Sequence, residues 1–369
     1  MKIGLCGVGT VGSGVVNLLN NNAEAIAQRL GEPVQLSKVG ARRDSDKCDL
    51  SSLRVVRNVM DIATDPDIDL LVELIGGTST AYDLVKTALA SHKHVVTANK
   101  ALIAEHGEEL IHLAQENRCM LRFEAAVAGG IPIIDILCGA LAANRIQQIV
   151  GIINGTSNFI LSSMAKEGLG FDDALGVAKQ MGYAESDPSF DIEGIDAAHK
   201  LAILASLAFG TPLDYFNVAI EGIAGVDAQD VKYAHKLGYS IKHLGIARLH
   251  RENNKELIQM RVHPALIPKE TLIAQIDGAT NALMIDAEPL ERSVYIGQGA
   301  GVGPTSSAVV ADIIAIARAG KGSRVYPPSA FQLTMRNHIE TQAAEDIVTS
   351  NYLRLNVEDK PGVLAQITA

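Results

Sequence analysis

With 369 residues the chain is long enough for about two to three domains, and 47% hydrophobic against 20% charged residues allows a large core and argues against disorder. Its 32 Lys and Arg against 42 Asp and Glu leave a net charge of −10 with no basic run, which argues against nucleic acid or an anionic membrane as the main partner. Aromatic residues make up 4% and Trp is absent, so base-stacking platforms are disfavoured as well.

In chain order, residues 3–6 read as a short apolar strand, followed by glycines and an apolar helical stretch over 11–19. Residues 34–39 read as a second strand and 68–75 as a third, largely apolar as expected of a strand buried on both faces. Thr80-Ala81-Tyr82-Asp83 has capping-box spacing and predicts a helix to about residue 91. A fourth strand at 94–97, a helix over 104–117 and a fifth strand at 120–124 continue the alternation. The fold class is therefore α/β, with a doubly wound parallel sheet and right-handed crossovers.

After Pro132 the pattern changes. A strand at 146–153 precedes Ala/Leu-rich helices, notably 194–209, and alternation returns at 256–263 and 293–296. Residues 133–296 thus read as a second, α+β domain. A glycine-rich loop at 297–303 and an apolar helix over 306–318 follow. Residues 321–350 are polar and contain Pro, as suits a linker, and 351–369 read as one strand, a turn and the start of a helix. The four cysteines, Cys6, Cys48, Cys119 and Cys138, form no C-x-x-C pair and read as buried, reduced thiols. The opening MKIGLCGVG lacks a signal peptide, and no uninterrupted apolar stretch approaches the ~18 residues of a membrane span, so a cytoplasmic protein is expected.

Four places carry chemistry. Gly7-x-Gly9-x-x-Gly12, with Thr10 and Val11 between, follows a strand and opens a helix, which is the context of a Rossmann-type dinucleotide fingerprint. Gly7 permits the tight turn, Gly9 lets the backbone approach a pyrophosphate at the helix N-terminus, and Gly12 allows close helix–strand packing. Where an NAD site usually carries an acidic residue, the second strand ends at Gly40-Ala41-Arg42-Arg43. Arg42 suits a 2′-phosphate, so NADP is expected over NAD, although Asp44 follows closely.

Lys100, in Thr97-Ala98-Asn99-Lys100, comes directly after the fourth strand and is expected to project from a loop into the crevice where α/β sheets bind ligands. In Asn154-Gly155-Thr156-Ser157-Asn158 the glycine and hydroxyls could offer N–H groups to an anion, or simply cap a helix. Asp196 and Lys200 share one face of a helix that is apolar all round beyond them. On a surface such a pair contributes a few tenths of a kcal/mol. A lysine held near an apolar core is costly unless paired, and the balance of burial and carboxylates suits proton transfer at neutral pH.

Together GVGTVGSGVV at 7–16, TANK at 97–100, NGTSN at 154–158 and YAESDPSFDIEGIDAAHK at 183–200 resemble the homoserine dehydrogenases in order and spacing, over about residues 1–320. The resemblance implies NADP-linked interconversion of L-homoserine and L-aspartate 4-semialdehyde, on the route to threonine, methionine and isoleucine. It makes Lys200 the proton-transfer residue and Lys100 a second lysine of the site. Glu185, Asp191 and Asp196 match the positions that hold the substrate's amino group and orient the lysine. His199 stands where an arginine is common. Glu124, with the carbonyls of Val127, Gly129 and Ile131, resembles the family's monovalent cation site, which takes sodium. Gly299 lies in a second glycine loop, 297–301, that returns the chain to the cofactor. The resemblance also implies a homodimer through the middle domain. The tail, 352–369, resembles the opening of an ACT domain, so a truncated chain with weak or absent threonine feedback is expected.

Two other classes share parts of this pattern. Another NAD(P)-dependent amino-acid alcohol dehydrogenase needs the glycine loop but not the 185–200 motif. A non-catalytic nucleotide sensor needs neither Lys100 nor Lys200. An aldehyde-oxidising enzyme is disfavoured, because no cysteine sits in a convincing loop for a nucleophile.

Overall fold

Strands and helices alternate from the first residues. β1 (Lys2–Cys6) leads to α1 (Thr10–Asn21) and α2 (Ala23–Leu30), then β2 (Gln35–Gly40), β3 (Arg54–Val56), α3 (Met60–Ala63), β4 (Leu70–Glu73), α4 (Ser79–Ala90), β5 (His94–Thr97), α5 (Lys100–Glu116) and β6 (Leu121–Arg122). The six strands form one parallel sheet in the order β3-β2-β1-β4-β5-β6. The strand order reverses between β1 and β4, so the ligand crevice of a doubly wound sheet lies beyond the carboxyl ends of those two strands. The computed structural model describes residues 1–43, 46–252, 255–320, 339–358 and 360–368; Asp44 and most of the expected linker lie outside these.

The second unit opens with a single turn, α6 (Ile133–Asp135), and β7 (Arg145–Ile152). Then come α7 (Gly155–Glu167), α8 (Phe171–Gln180), α9 (Ser189–Ile192), α10 (Ile195–Phe209), β8 (Ala219–Ile220), α11 (Ala228–Lys236) and four strands. These are β9 (Tyr239–Glu252), β10 (Lys255–Pro268), β11 (Thr280–Glu288) and β12 (Glu291–Gln298). The mixed second sheet runs β12-β11-β7-β9-β10, with β8 and β13 (Glu340–Thr341) paired parallel to β10. β13 falls inside the stretch expected to be linker. Beyond it, residues 352–357 are irregular and α13 (Val363–Thr368) is a short helix.

Between β12 and β13 the chain returns to the first sheet as α12 (Val302–Ala319). This helix is long and apolar enough to cross a membrane, but here Val309, Ile313 and Ile316 pack with Val15, Val16 and Leu19 of α1 over β1. The opposite face of the sheet is covered by Leu84 of α4 and by Leu102 and Leu110 of α5, and that apolar layer continues into α10 and β7. α10 is buried from Asp196 to Leu207, as its apolar circumference predicts. One layer of side chains therefore joins the two units and fixes α5 against α10.

Several expectations are corrected. The capping box at Thr80 does not form: α4 starts at Ser79, and its N-cap, Thr78, makes no side-chain cap bond. The fifth expected strand shrinks to β6, with Glu124 opening a 3-10 turn instead. None of the four cysteines forms a disulfide, but only Cys6 and Cys119 are buried; Cys48 and Cys138 are half-buried.

Candidate active site

Asp196 is the hub. It lies in the first turn of α10 and is 4% exposed. Its Oδ2 accepts from Lys200 Nζ at 2.7 Å, and its Oδ1 pairs with Lys100 Nζ at 2.9 Å. Lys200 also donates to the carbonyl of Ile153 at 2.8 Å, just past the end of β7. An ammonium has three donors, so one N–H of Lys200 is left for a ligand. Asn154 caps α7 by accepting from the Ser157 N–H, while its own amide donates to Asp191 Oδ1 at 2.7 Å and Asp196 Oδ2 at 2.8 Å. Burial works to raise the Asp196 pKa, but Lys200 and Lys100 outweigh it and hold the carboxyl well below the usual range. Asp191 moves the other way: burial raises it, the Asn154 bond opposes, and the charge of Asp196 adds to the rise.

Lys100 is not a loop residue as expected. It is the first residue of α5, where Asn99 caps the helix by accepting from the Leu102 N–H at 3.1 Å. A cation in a first helical turn faces the positive end of the macrodipole, and Asp196 offsets this. The Lys100 ammonium also lies 5.5 Å from the centroid of the Phe190 ring, which packs in turn on His199. His199 is held below its ordinary pKa by burial and then by Lys100, so beside Lys200 it is a neutral neighbour.

The other expected site residues divide. Thr156 and Gly155 start α7 beside the hub, yet the Thr156 hydroxyl donates to the Tyr183 carbonyl at 2.7 Å. A Cβ on Gly155 would come within 2.7 Å of the Ala279 carbonyl, so this glycine serves close packing. Glu185 is exposed on the loop before α9 and joins none of the hub's hydrogen bonds. Glu124 is buried where the chain crosses between the units, beside the return strand: the Gly130 N–H donates to the Gln298 carbonyl at 2.8 Å. Its carboxylate accepts from the N–H groups of Ile134 and Asp135, at 2.9 and 2.8 Å. Burial and then Asp312 push it up to about 8. Gly299 lies against the buried Asn281 side chain.

At the crevice, Gly7 has φ 102°, and a Cβ there would meet the Leu74 carbonyl at 2.5 Å. A Cβ on Gly12 would stand 1.9 Å from the Gly7 carbonyl, whereas Gly9, the N-cap of α1, has nothing within 4 Å. Open space at Gly9, next to the free N–H groups of the first turn of α1, fits a pyrophosphate. Arg42 is exposed two residues beyond the end of β2. Asn154, which joins both carboxylates, lies in a loop that the sequence singled out without giving this residue a role, and the turn after β4 was not singled out at all. The cap position of Asn154 before an apolar helix was the available signal for the first.

A doubly wound nucleotide-binding sheet whose crevice faces a carboxylate flanked by two lysines defines an NAD(P)-dependent oxidoreductase. Two family profiles match the chain: "Homoserine dehydrogenase, NAD binding domain" over residues 7–124 and "Homoserine dehydrogenase" over 132–314. The homoserine dehydrogenase of Pseudomonas aeruginosa is 48% identical over 370 residues, spanning 100% of this chain and 84% of that protein. The crystal structure of a homoserine dehydrogenase from Thiobacillus denitrificans matches with a TM-score of 0.91 and 46% identity, over 100% of this chain and 85% of that one. A hyperthermophilic archaeal homoserine dehydrogenase in complex with NADPH matches with a TM-score of 0.71 and 27% identity, over 85% and 96%. The chain belongs to the homoserine dehydrogenase family.

Proposed function

We propose that the chain interconverts homoserine and aspartate semialdehyde with NADP, using Lys200 for proton transfer. The observation that carries this is Asp196 holding Lys200 and Lys100 together at the mouth of the crevice, with one N–H of Lys200 unspent. In the reduction, the Lys200 ammonium gives its unspent proton to the alkoxide forming on the semialdehyde; in the oxidation, the neutral amine left by that transfer takes the hydroxyl proton of homoserine. The bound nicotinamide supplies the hydride acceptor. Asp196 keeps both lysines aimed, and their charge stabilises the developing alkoxide. Asp191, held by Asn154, is the carboxylate placed for the substrate's amino group, and Glu185 completes that subsite from its loop. Arg42 supports NADP over NAD, and the NADPH-bound archaeal relative is consistent with it.

Three finer points belong to the same reading. A monovalent cation, sodium, beside Glu124 is supported by one feature: among the described residues this buried carboxylate has no cationic partner, since Arg122 is committed to Asp312 and Asp135. Melting in sodium chloride against choline chloride tests it; equal stability in both counts against the cation. The outer face of the second sheet carries Ile246, Met284, Val294 and the half-exposed Ile296. On the same face, Nε and Nη1 of Arg261 lack a partner among the described residues, which supports a homodimer there. A monomer by light scattering overturns it. Four cysteines without a disulfide suit a reducing cytoplasm.

The deciding experiment follows nicotinamide absorbance with purified protein, homoserine, and NADP or NAD in parallel. Homoserine-dependent reduction, faster with NADP, supports the whole reading. Faster reduction with NAD removes the Arg42 argument alone. No reduction, in protein that binds NADPH, overturns the catalytic reading.

A further inference from the structure

Glu73 ends β4 fully buried, in register with Cys6 of β1 on one side and Thr97 of β5 on the other. A buried carboxylate is tolerated only where hydrogen bonds replace its water. Its Oε1 accepts from the N–H groups of Ile75 and Gly76, at 2.8 and 3.0 Å, and its Oε2 from the Thr97 hydroxyl at 2.5 Å. Burial, with the charge of Glu73 adding to it, pushes the Cys6 thiol far up, so that thiol stays protonated.

The two oxygens reach different parts of the site. Oε1 sets the turn after β4, where Leu74 touches Gly7 and where Gly76 and Gly77, both at positive φ, have nothing within 4 Å of an added Cβ. Oε2 fixes Thr97, whose oxygen accepts from the Asn99 N–H at 3.0 Å. Asn99 caps α5, so it fixes where Lys100 begins, and its amide donates back to the Gly77 carbonyl at 2.6 Å. The network is a closed ring, Glu73–Thr97–Asn99–Gly77, between the dinucleotide crevice and the lysine that pairs with Asp196.

We propose that Glu73 is a positioning residue that couples cofactor seating to the placement of Lys100, acting through Thr97 and Asn99. The proposal rests on the reading of Lys100 as part of the active site. Hydrogen bonds to a buried charge are directional, and loss of one arm lets both the turn and the start of α5 drift while the sheet holds.

The test uses Thr97→Val, Thr97→Ser, Glu73→Gln and their combination, read by NADPH fluorescence titration, steady-state kinetics and melting. Thr97→Val has the shape but neither hydrogen bond. It is expected to weaken NADPH binding and to lower kcat, each by roughly two- to thirtyfold. Thr97→Ser restores both. Glu73→Gln keeps an acceptor for the turn and replaces the charged Thr97 arm with a weaker bond from its amide to the hydroxyl, so it should fall between wild type and Thr97→Val, and the double variant should be no worse than Thr97→Val. If Thr97→Val does not fold, Asn99→Ser keeps a cap but cannot reach Gly77, and the same pattern is expected in weaker form. A merely structural role predicts lower melting with kcat and NADPH affinity within twofold of wild type. That outcome, or losses that multiply in the double variant, overturns the coupling. Lys100→Ala is the control. If it remains fully active, the site reading has failed and NADPH affinity alone decides the role of Glu73. If it is crippled while Thr97→Val is unaffected, only the coupling has failed.

Discussion

Asp196 and Lys200 sit one helical turn apart on α10 and are joined at 2.7 Å, with neither residue more than a tenth exposed. Spacing of four on an isolated helix contributes little; burial makes the pair matter. Removing one partner of a buried pair costs about 3–5 kcal/mol, because the other charge is left uncompensated. Asp196→Asn leaves two ammonium groups, Lys100 and Lys200, facing an amide. It is therefore expected to lower the melting temperature markedly and to abolish most activity. The pH dependence has a definite sign. The Asp196 pKa is depressed in the folded chain, so its contribution is fully present above the ordinary carboxylate value near 3.9 and is lost as the pH falls towards its own lower value. The melting gap between wild type and Asp196→Asn should stay constant from about pH 8 to pH 5 and narrow only below about pH 4. A gap that closes between neutral pH and 5 contradicts the assignment.

The two lysines should differ in kinetics. Lys200 has spent two donors on Asp196 and the Ile153 carbonyl, which aims the third. Lys200→Ala is expected to lower kcat by ~10²–10⁴-fold, with a much smaller change in the KM for homoserine. Lys100 is more exposed and stands beside Phe190. Lys100→Ala is expected to raise the KM for homoserine as well as lower kcat. Steady-state kinetics on both variants separates them; a KM effect confined to Lys200→Ala reverses the roles.

What the sequence revealed follows from how local each constraint is. Gly7, Gly9 and Gly12 are legible because one turn and one helix start impose their spacing. Asp196 and Lys200 are legible because a helix sets a period of about 3.6 residues. Asn154 meets Asp191 and Asp196 across 37 and 42 positions, and Glu73 meets Thr97 across 24. Those contacts exist only once two strands pair or a helix docks, and no local pattern announces them. β3 was missed because three residues are too few to show alternation, and β9 because Lys242, His243, Arg248 and His250 break its apolar pattern. Lys242 is nonetheless buried, since its ammonium donates to the Ile276 carbonyl and to Asp277.

The glycine loop gives a prediction in which two similar substitutions part company. Gly12 has no room, because an added Cβ stands 1.9 Å from the Gly7 carbonyl, a backbone atom that cannot swing away. Gly12→Ala is expected to destabilise the nucleotide-binding unit, visible as a lower melting temperature without ligand. Gly9 has nothing within 4 Å and a negative φ of −71°. Gly9→Ala should melt like wild type without ligand, yet bind NADPH more weakly, because the methyl occupies the space left for the pyrophosphate. Unchanged NADPH affinity in Gly9→Ala would show that the phosphates pass elsewhere.

Arg42 isolates cofactor choice from everything else. It is exposed two residues past the end of β2, away from the lysine hub, so replacing it should leave fold and chemistry intact. A hydrogen bond between charged groups contributes roughly 1.5–3 kcal/mol, or about ten- to a hundredfold in an equilibrium. Arg42→Ala is therefore expected to lower kcat/KM for NADP by about that factor and to leave kcat/KM for NAD nearly unchanged, moving the preference towards NAD. Parallel assays with the two cofactors at fixed homoserine measure it. Equal losses with both would mean that Arg42 contacts the shared part of the cofactor. No loss with either would leave Arg43, its exposed neighbour, as the next residue to replace.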